Sequence, residues 1–380
     1  MSSLDLMAAT AFGVEAVTAR ELRALGYEAK GGLPGQVIFA GEVGAICRAN
    51  LWLRSADRLL LRLGSFPAPD FDQLFDQTRE LPWERWLPVD ATFPVHARSQ
   101  NSRLTSVPAC QRTVKKAVVR RLQTVYRRQQ LPETGPLTRI ELLLRDDLAS
   151  LYVDTTGPSL HKRGYRPWVG EAPLKETLAA VLVMLSFWRP GRPFLDPFCG
   201  TGTIPIEAAM IGRNLAPGLQ RTFAAESWPT LPAAHWQQAR QEALDVAQPQ
   251  LEYPVLGSDI DRHAIGLAER HAHLAGVSGS VNFCQQAFEH LEPPASHGVL
   301  IANPPYGERL DDEQALQRLY DALPRILRRL ETWSWYFLTS DRGFERRLRR
   351  RADRRRKLYN GRIACTYYQF HGPRPPAATS

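Results

Sequence analysis

Paired cysteines are missing. The five in this 380-residue chain, at positions 47, 110, 199, 284 and 365, are scattered, and no Cys-x-x-Cys occurs. That spacing argues against a zinc site and a disulfide framework, and predicts a reducing, cytoplasmic setting with no bound metal. Long apolar runs are missing too. The longest, Thr177 to Trp188, falls short of the roughly 20 residues that span a bilayer and reads as a buried core helix. The first residues, Met1-Ser2-Ser3-Leu4-Asp5, have neither the basic region nor the apolar stretch of a secretory signal. No Gly-Lys-Ser/Thr closes a phosphate-binding P-loop. Nor does any charged side chain stand out as a dedicated general base. Of His161, His297, His271 and His273, the last two fall in a helix expected over 263–274 and read as surface or packing residues.

What is present describes a globular chain of two or three domains. Hydrophobic residues make up 44% and charged residues 23%, which excludes disorder and leaves enough for a sizeable core. The net charge of +9 is unevenly placed. Residues 342–357 hold ten Arg/Lys and two acids, and residues 110–128 hold seven basic residues and no acid. These two segments carry +15 of a total of +9, so the remainder of the chain is at −6. Two concentrated basic segments on an acidic body predict phosphate-binding surfaces and a nucleic-acid partner. In the first, Val114, Val118, Leu122 and Val125 recur at helical spacing while Arg112, Lys116, Arg120 and Arg127 lie off that face. The second reads as an arginine-rich helix, whose alternative role is a solvated face.

Three motifs end short apolar runs. Gly298-Val299-Leu300-Ile301-Ala302 leads into Asn303-Pro304-Pro305-Tyr306, a buried strand stopped at its carboxyl edge, where open α/β sheets bind ligands. The Asn303 side-chain carbonyl and the Pro304 backbone carbonyl can each accept a hydrogen from an exocyclic amine, turning its lone pair toward an incoming methyl group. Tyr306 offers a face on which a flipped base stacks. A plain Pro-Pro turn explains the same four residues. About a hundred residues earlier, Asp196-Pro197-Phe198-Cys199-Gly200-Thr201-Gly202-Thr203 stands between the strand 193–195 and a helix over 204–210. Gly200 and Gly202 let the backbone approach a ligand, but Pro205 occupies the place where a dinucleotide loop has Gly or Ala. Third, Val255-Leu256-Gly257-Ser258-Asp259-Ile260-Asp261 is a strand ending in acid. Asp259 suits the hydroxyls of a ribose and Asp261 the N-cap of the next helix. Together, in this order, the three are far more specific than any one alone.

The chain resembles class I methyltransferases of the THUMP-containing family that modify the 2-amino group of guanine in ribosomal or transfer RNA, most closely the bacterial large-subunit (23S) ribosomal RNA branch. The resemblance rests on 160–166 (Leu-His-Lys-Arg-Gly-Tyr-Arg), 172–176 (Ala-Pro-Leu-Lys-Glu), the Asp196 loop, Ala216-Pro217-Gly218, the Asp259 strand and 303–310 (Asn-Pro-Pro-Tyr-Gly-Glu-Arg-Leu). It is dense over 150–370 and looser before that. It implies a Rossmann-like α/β domain over 158–380, with a parallel sheet and a terminal antiparallel hairpin. Before it would come a ferredoxin-like α+β module over 1–65 and a THUMP RNA-binding domain over 66–157. It implies S-adenosylmethionine as cofactor, held by Asp196, Phe198, Gly200, Gly202, Thr203, Asp259, Ile260, Phe288 and Asn303. Asn303, Pro304 and Tyr306 would form the catalytic set. Lys115, Lys116, Arg120, Arg163, Arg166, Arg349 and Arg350 would meet RNA, and the protein would be a monomer. One departure is visible: family members often place an Asp for the adenine amine where Ala287 and Phe288 stand here. The motif at 303–306 serves adenine's 6-amino group as well as guanine's, so a DNA adenine methyltransferase remains the nearest rival, and an RNA binder that has lost catalysis a more distant one.

Along the chain, helices are expected over 14–25, 43–51 and 70–78 and strands over 36–40, 57–63 and 92–97. A hairpin joins 140–144 to 149–154, a strand covers 334–339, and a second hairpin joins 357–359 to 362–370 through Asn360-Gly361. The Pro- and Trp-rich stretch 215–232 reads as an insertion that walls the active-site cleft.

Overall fold

The computed structural model describes residues 3–167, 174–305 and 313–374. They form two compact units, each built on a seven-stranded sheet. The first unit comprises Met1–Thr10, Thr18–Leu160 and Arg221–Glu242, and the second Ala11–Val17, His161–Gln220 and Ala243–Ser380. No helix among the described residues is long and apolar enough to cross a membrane.

In chain order the first part supplies β1 (Leu4–Thr10), α1 (Glu15–Ala24), β2 (Ala29–Gly31), β3 (Gln36–Gly41), α2 (Gly44–Trp52), β4 (Ala56–Pro67), α3 (Phe71–Glu80), β5 (Val95–Gln100), α4 (Val107–Tyr126), β6 (Ile140–Arg145) and β7 (Leu148–Asp154). The sheet order is β2-β3-β1-β4-β7-β6-β5. β4 pairs with β1 on one side and β7 on the other, so the segments expected as ferredoxin-like and THUMP modules share one continuous sheet, and the expected boundary at 65/66 falls inside this strand. α3 starts where Asp70 accepts from the Gln73 N–H at 2.8 Å, an N-cap. The β6–β7 turn is Asp146-Asp147, both at positive φ as a tight hairpin turn of this hand requires. Val114, Val118 and Leu122 of α4 are wholly buried, but Val125 is 40% exposed, so the apolar face ends a turn early.

The second part adds α5 (Glu176–Leu185), β8 (Phe194–Asp196), α6 (Thr203–Gly212), α7 (Ala233–Asp245), β9 (Val255–Asp259), α8 (Arg262–Leu274), β10 (Val281–Gln285), β11 (Val299–Ala302), α9 (Glu313–Arg329), β12 (Ser334–Thr339), α10 (Phe344–Leu348), β13 (Arg354–Asn360) and β14 (Ile363–Phe370). The order is β10-β9-β8-β11-β12-β14-β13, parallel except for β14, which runs antiparallel to both β12 and β13. Every residue of β11 and β12 is buried, as central parallel strands covered on both faces must be. The expected arginine-rich helix over 342–357 is not found. α10 stops after five residues because Arg349 turns left-handed at φ +49, and Arg354–Lys357 pair with β14 as part of the edge strand.

The 215–232 stretch also differs from expectation. From Arg221 onward it belongs to the first unit, where Phe223, Trp228, Leu231 and Trp236 enter the core; Trp228 packs edge-on against Trp86 and Phe223 stacks on Trp236. A run of aromatics is what such a graft needs, because each ring removes a large apolar area from water.

Candidate active site

The strand order of the second sheet reverses between β8 and β11, and it is outside the carboxyl ends of the strands at such a switch point that open α/β sheets bind ligands. β8 ends on Asp196, and β11, paired beside it, runs straight into Asn303. On its other side β8 pairs with β9, which ends on Asp259. The three motifs therefore meet at one edge.

The glycine loop is held in place by its neighbours. The Cys199 N–H donates to the Ser258 carbonyl at 3.0 Å, and the Gly200 N–H donates to Asp259 Oδ2 at 2.8 Å. Gly200 and Gly202 have φ of +51 and +84. A Cβ on Gly202 would lie 2.8 Å from the Phe283 ring and 2.9 Å from Ala268, so a side chain is excluded there on both counts. The Thr201 carbonyl lies 3.1 Å from Nδ1 of the buried His271. Since a carbonyl only accepts, Nδ1 carries the proton. This brace from α8 was read from the sequence as a surface or packing histidine; its i, i+3 relation to Ala268, which abuts Gly202, was the available signal. Asp261 caps α8 by accepting from the His263 N–H at 2.8 Å, leaving Asp259 free of that duty.

The oxygens at this edge that are buried without a hydrogen-bond partner among the described residues include Asp196 Oδ2 and Asn303 Oδ1. Asp196 is 1% exposed, and its other oxygen accepts from the Phe198 N–H at 3.1 Å. Burial, reinforced by the nearby Asp259 charge, pushes the Asp196 carboxyl well above the usual carboxylate range. Buried orphan acceptors cost desolvation, so two of them at the switch point suit the donors of a ligand.

Comparison with known proteins gives the chemistry. The family profile described as the RMKL-like methyltransferase domain matches residues 163–369. This chain belongs to that family. The RlmL ferredoxin-like domain matches residues 5–60 and the THUMP domain residues 68–154. The "Putative RNA methyltransferase YpsC" of Bacillus subtilis is 44% identical over 97% of this chain and 96% of its own length. A solved structure described as "a predicted N6-adenine-specific DNA methylase" from Listeria monocytogenes is 47% identical, covers 98% of this chain and 97% of its own, and superposes with a TM-score of 0.92. Another, "SMU.472, a putative methyltransferase complexed with SAH", is 44% identical, with a TM-score of 0.91 over 99% of this chain and all of its own.

The cofactor of this RMKL-like methyltransferase is S-adenosylmethionine, and the residues present fit it. Asp196 Oδ2 suits its ammonium group, and the side-chain-free Gly200–Gly202 backbone suits close passage of the amino-acid part. Asp259 accepts from the N–H groups of Gly200 and Asp261, at 2.8 and 3.0 Å, one on each oxygen, and the remaining lone pairs suit ribose hydroxyls. Ile260 is 72% exposed and suits a flat apolar partner such as adenine. Phe288 is buried with its ring 4.9 Å from that of Phe198, which fills the position beyond Ala287 with an aromatic pair in place of a carboxylate. Thr203 is buried at the start of α6. Pro304 follows Asn303 and is buried; Tyr306 lies outside the described residues.

The expected RNA contacts divide. Arg163 and Arg166 are not on the surface: Arg163 Nε lies 3.3 Å from Glu207 Oε1, both side chains at 2% exposure or less, and Arg166 is paired with Glu176 at 3.3 Å. Buried and neutralised, they cannot meet phosphates, and their assignment to RNA is withdrawn. Lys115 is tied down by Glu133 at 2.9 Å and lies 3.6 Å from the centre of the Phe93 ring. Lys116 and Arg120 are exposed on α4. Arg349 and Arg350 are exposed after α10, with the Arg350 guanidinium over the Trp335 ring at 4.6 Å.

Proposed function

We propose that this methyltransferase acts on the exocyclic 2-amino group of a guanine in RNA, with 23S ribosomal RNA as the leading target. The observation that carries the chemistry is Asn303 Oδ1, buried and without a partner among the described residues, at the end of the strand paired with β8 at the switch point. An aromatic amine is a poor nucleophile because its lone pair is delocalised into the ring. Asn303 Oδ1 and the Pro304 carbonyl accept its two hydrogens and hold the nitrogen with its lone pair facing the donor. Bound S-adenosylmethionine supplies an activated methyl group on a sulfonium. After transfer the nitrogen is cationic and loses a proton readily, so orientation and exclusion of water carry the rate and no dedicated base is required. Support for RNA comes from the THUMP match, the exposed cations of α4 and the name of the Bacillus subtilis relative.

A second reading, methylation of adenine's 6-amino group in DNA, is favoured by the name of the Listeria monocytogenes relative, and the amine-orienting device serves it equally. Incubating the protein and labelled donor with 23S RNA, transfer RNA or duplex DNA, then analysing digested nucleosides by mass spectrometry, separates the two. N2-methylguanosine from RNA is expected, formed roughly 100-fold more slowly by Asn303→Ala, as for loss of one preorganised polar contact. Methylated adenine as the sole product would overturn the base assignment.

A further inference from the structure

Arg166 sits behind the glycine loop with a side chain only 3% exposed. A single nitrogen, Nη1, donates to the Leu174 carbonyl at 2.9 Å and to Thr203 Oγ1 at 2.9 Å, and lies 3.3 Å from Glu176 Oε1. Leu174 and Glu176 flank the start of α5. Thr203 is the first residue of α6 and follows Gly202, whose positive φ sets the direction of the loop. One turn along the same face of α6, Glu207 Oε1 accepts from Arg163 Nε at 3.3 Å and from the Tyr165 hydroxyl at 3.0 Å. The segment 163–166 therefore grips α6 twice.

The two grips differ in what they can do. Arg163 and Tyr165 anchor mid-helix, which is enough to dock the segment. Arg166 takes a second charge out of water, which is costly unless geometry repays it, and spends its nitrogen on a hydroxyl adjoining the cofactor loop. We propose that Arg166 is a positioning residue for cofactor binding. Acting through Thr203, it fixes the first turn of α6 so that the Gly200–Gly202 backbone keeps the shape that receives the amino-acid part of the cofactor.

The inference rests on the cofactor assignment of the loop and not on which base is methylated, so its test needs no RNA. S-adenosylhomocysteine is titrated calorimetrically into the full-length protein and its variants, with melting temperatures recorded alongside. Arg166→Lys keeps the charge but not the reach to Thr203, and Thr203→Val removes the acceptor with little change in size. Each should weaken binding about tenfold, as loss of a hydrogen bond to a charged group does. Because both break one link, the double variant should bind no more weakly than Arg166→Lys, and Thr203→Ser, which keeps the acceptor, should recover affinity lost in Thr203→Val. Unchanged affinity in Arg166→Lys would overturn the proposal. So would losses that multiply to about 100-fold in the double variant, since Thr203 would then touch the cofactor independently. Arg166→Gln replaces the lysine variant if that does not fold. If neither folds, equal affinities for Thr203→Val and Thr203→Ser would sink the idea.

Discussion

If Asp196 meets the cofactor's ammonium group, as proposed, its ionisation is coupled to binding. Its carboxyl is buried, one oxygen has no partner among the described residues, and its pKa is raised well above the ordinary value, chiefly by desolvation. A carboxyl raised in the folded state contributes stability that is full below the ordinary carboxylate pKa, about 3.9, and is lost as pH climbs through the raised folded value. A bound ammonium reverses the preference, because it favours the ionised form. Binding of S-adenosylhomocysteine should therefore release a proton and tighten as pH rises through that window. Calorimetry in buffers of different ionisation enthalpy measures the release, and Asp196→Asn should bind weakly with no such dependence; a parent protein whose binding is flat across the window would remove Asp196 from the ammonium. The acid was legible in the sequence because it ends an apolar run before a glycine loop. Arg163 and Arg166 were misread for the opposite reason: a basic residue in sequence signals solvent or phosphate, and only packing reveals that Glu207 and Glu176 neutralise them.

Helices and strands were legible where one face is apolar. The α4 pattern and the β6–β7 hairpin follow the expected periodicities, while β12, buried along its whole length, was legible as a short run centred on Trp335-Tyr336-Phe337-Leu338. β1 was not read, because its middle residues Leu6, Met7 and Ala8 are all buried: Leu6 and Ala8 face one core while Met7 joins Leu60 and Tyr152 on the other face, which erases the alternation. Arginine's good helix propensity concealed the start of β13 at 354–356, whose end reads from the sequence as one strand of the terminal hairpin, yet cations on an edge strand also discourage pairing with another chain. On α4 the exposed Arg112, Lys116 and Arg120 lie opposite the buried valines, so they should act together through charge. Replacing all three with alanine should weaken RNA binding across sequences and lower the slope of log affinity against log salt by about 2, three phosphate contacts at roughly 0.7 each for a single strand. Binding titrated over a salt series reads that slope. An unaltered slope would leave α4 a solvated face.

At the scale of the whole chain, sequence order and structural units part company. Motif positions suggest a cut near 157/158, with everything later belonging to catalysis, but Arg221–Glu242 builds the first unit. Phe223, Ala225, Trp228, Leu231, Trp236 and Ala239 are buried in its core. The backbone joins there as well, with the Ala225 N–H donating to the Thr155 carbonyl at 3.0 Å. Nothing in linear order announces this, because a tryptophan-rich insertion fits a cleft wall as well as a core. The energetic consequence is large: four of those six side chains are big, and at about 1.5–3 kcal/mol for each one fully buried their loss approaches the entire 5–15 kcal/mol that stabilises a typical domain. A fragment ending at residue 160 should therefore expose apolar surface, bind a hydrophobic dye and unfold at low denaturant. The same fragment with residues 221–242 joined through a flexible linker should recover a cooperative transition. Denaturant titration by tryptophan fluorescence and far-ultraviolet dichroism decides it. Should the 1–160 fragment unfold as cooperatively, and at the same midpoint, as the linked version, the inserted segment would be a passenger on the first unit and not part of its core.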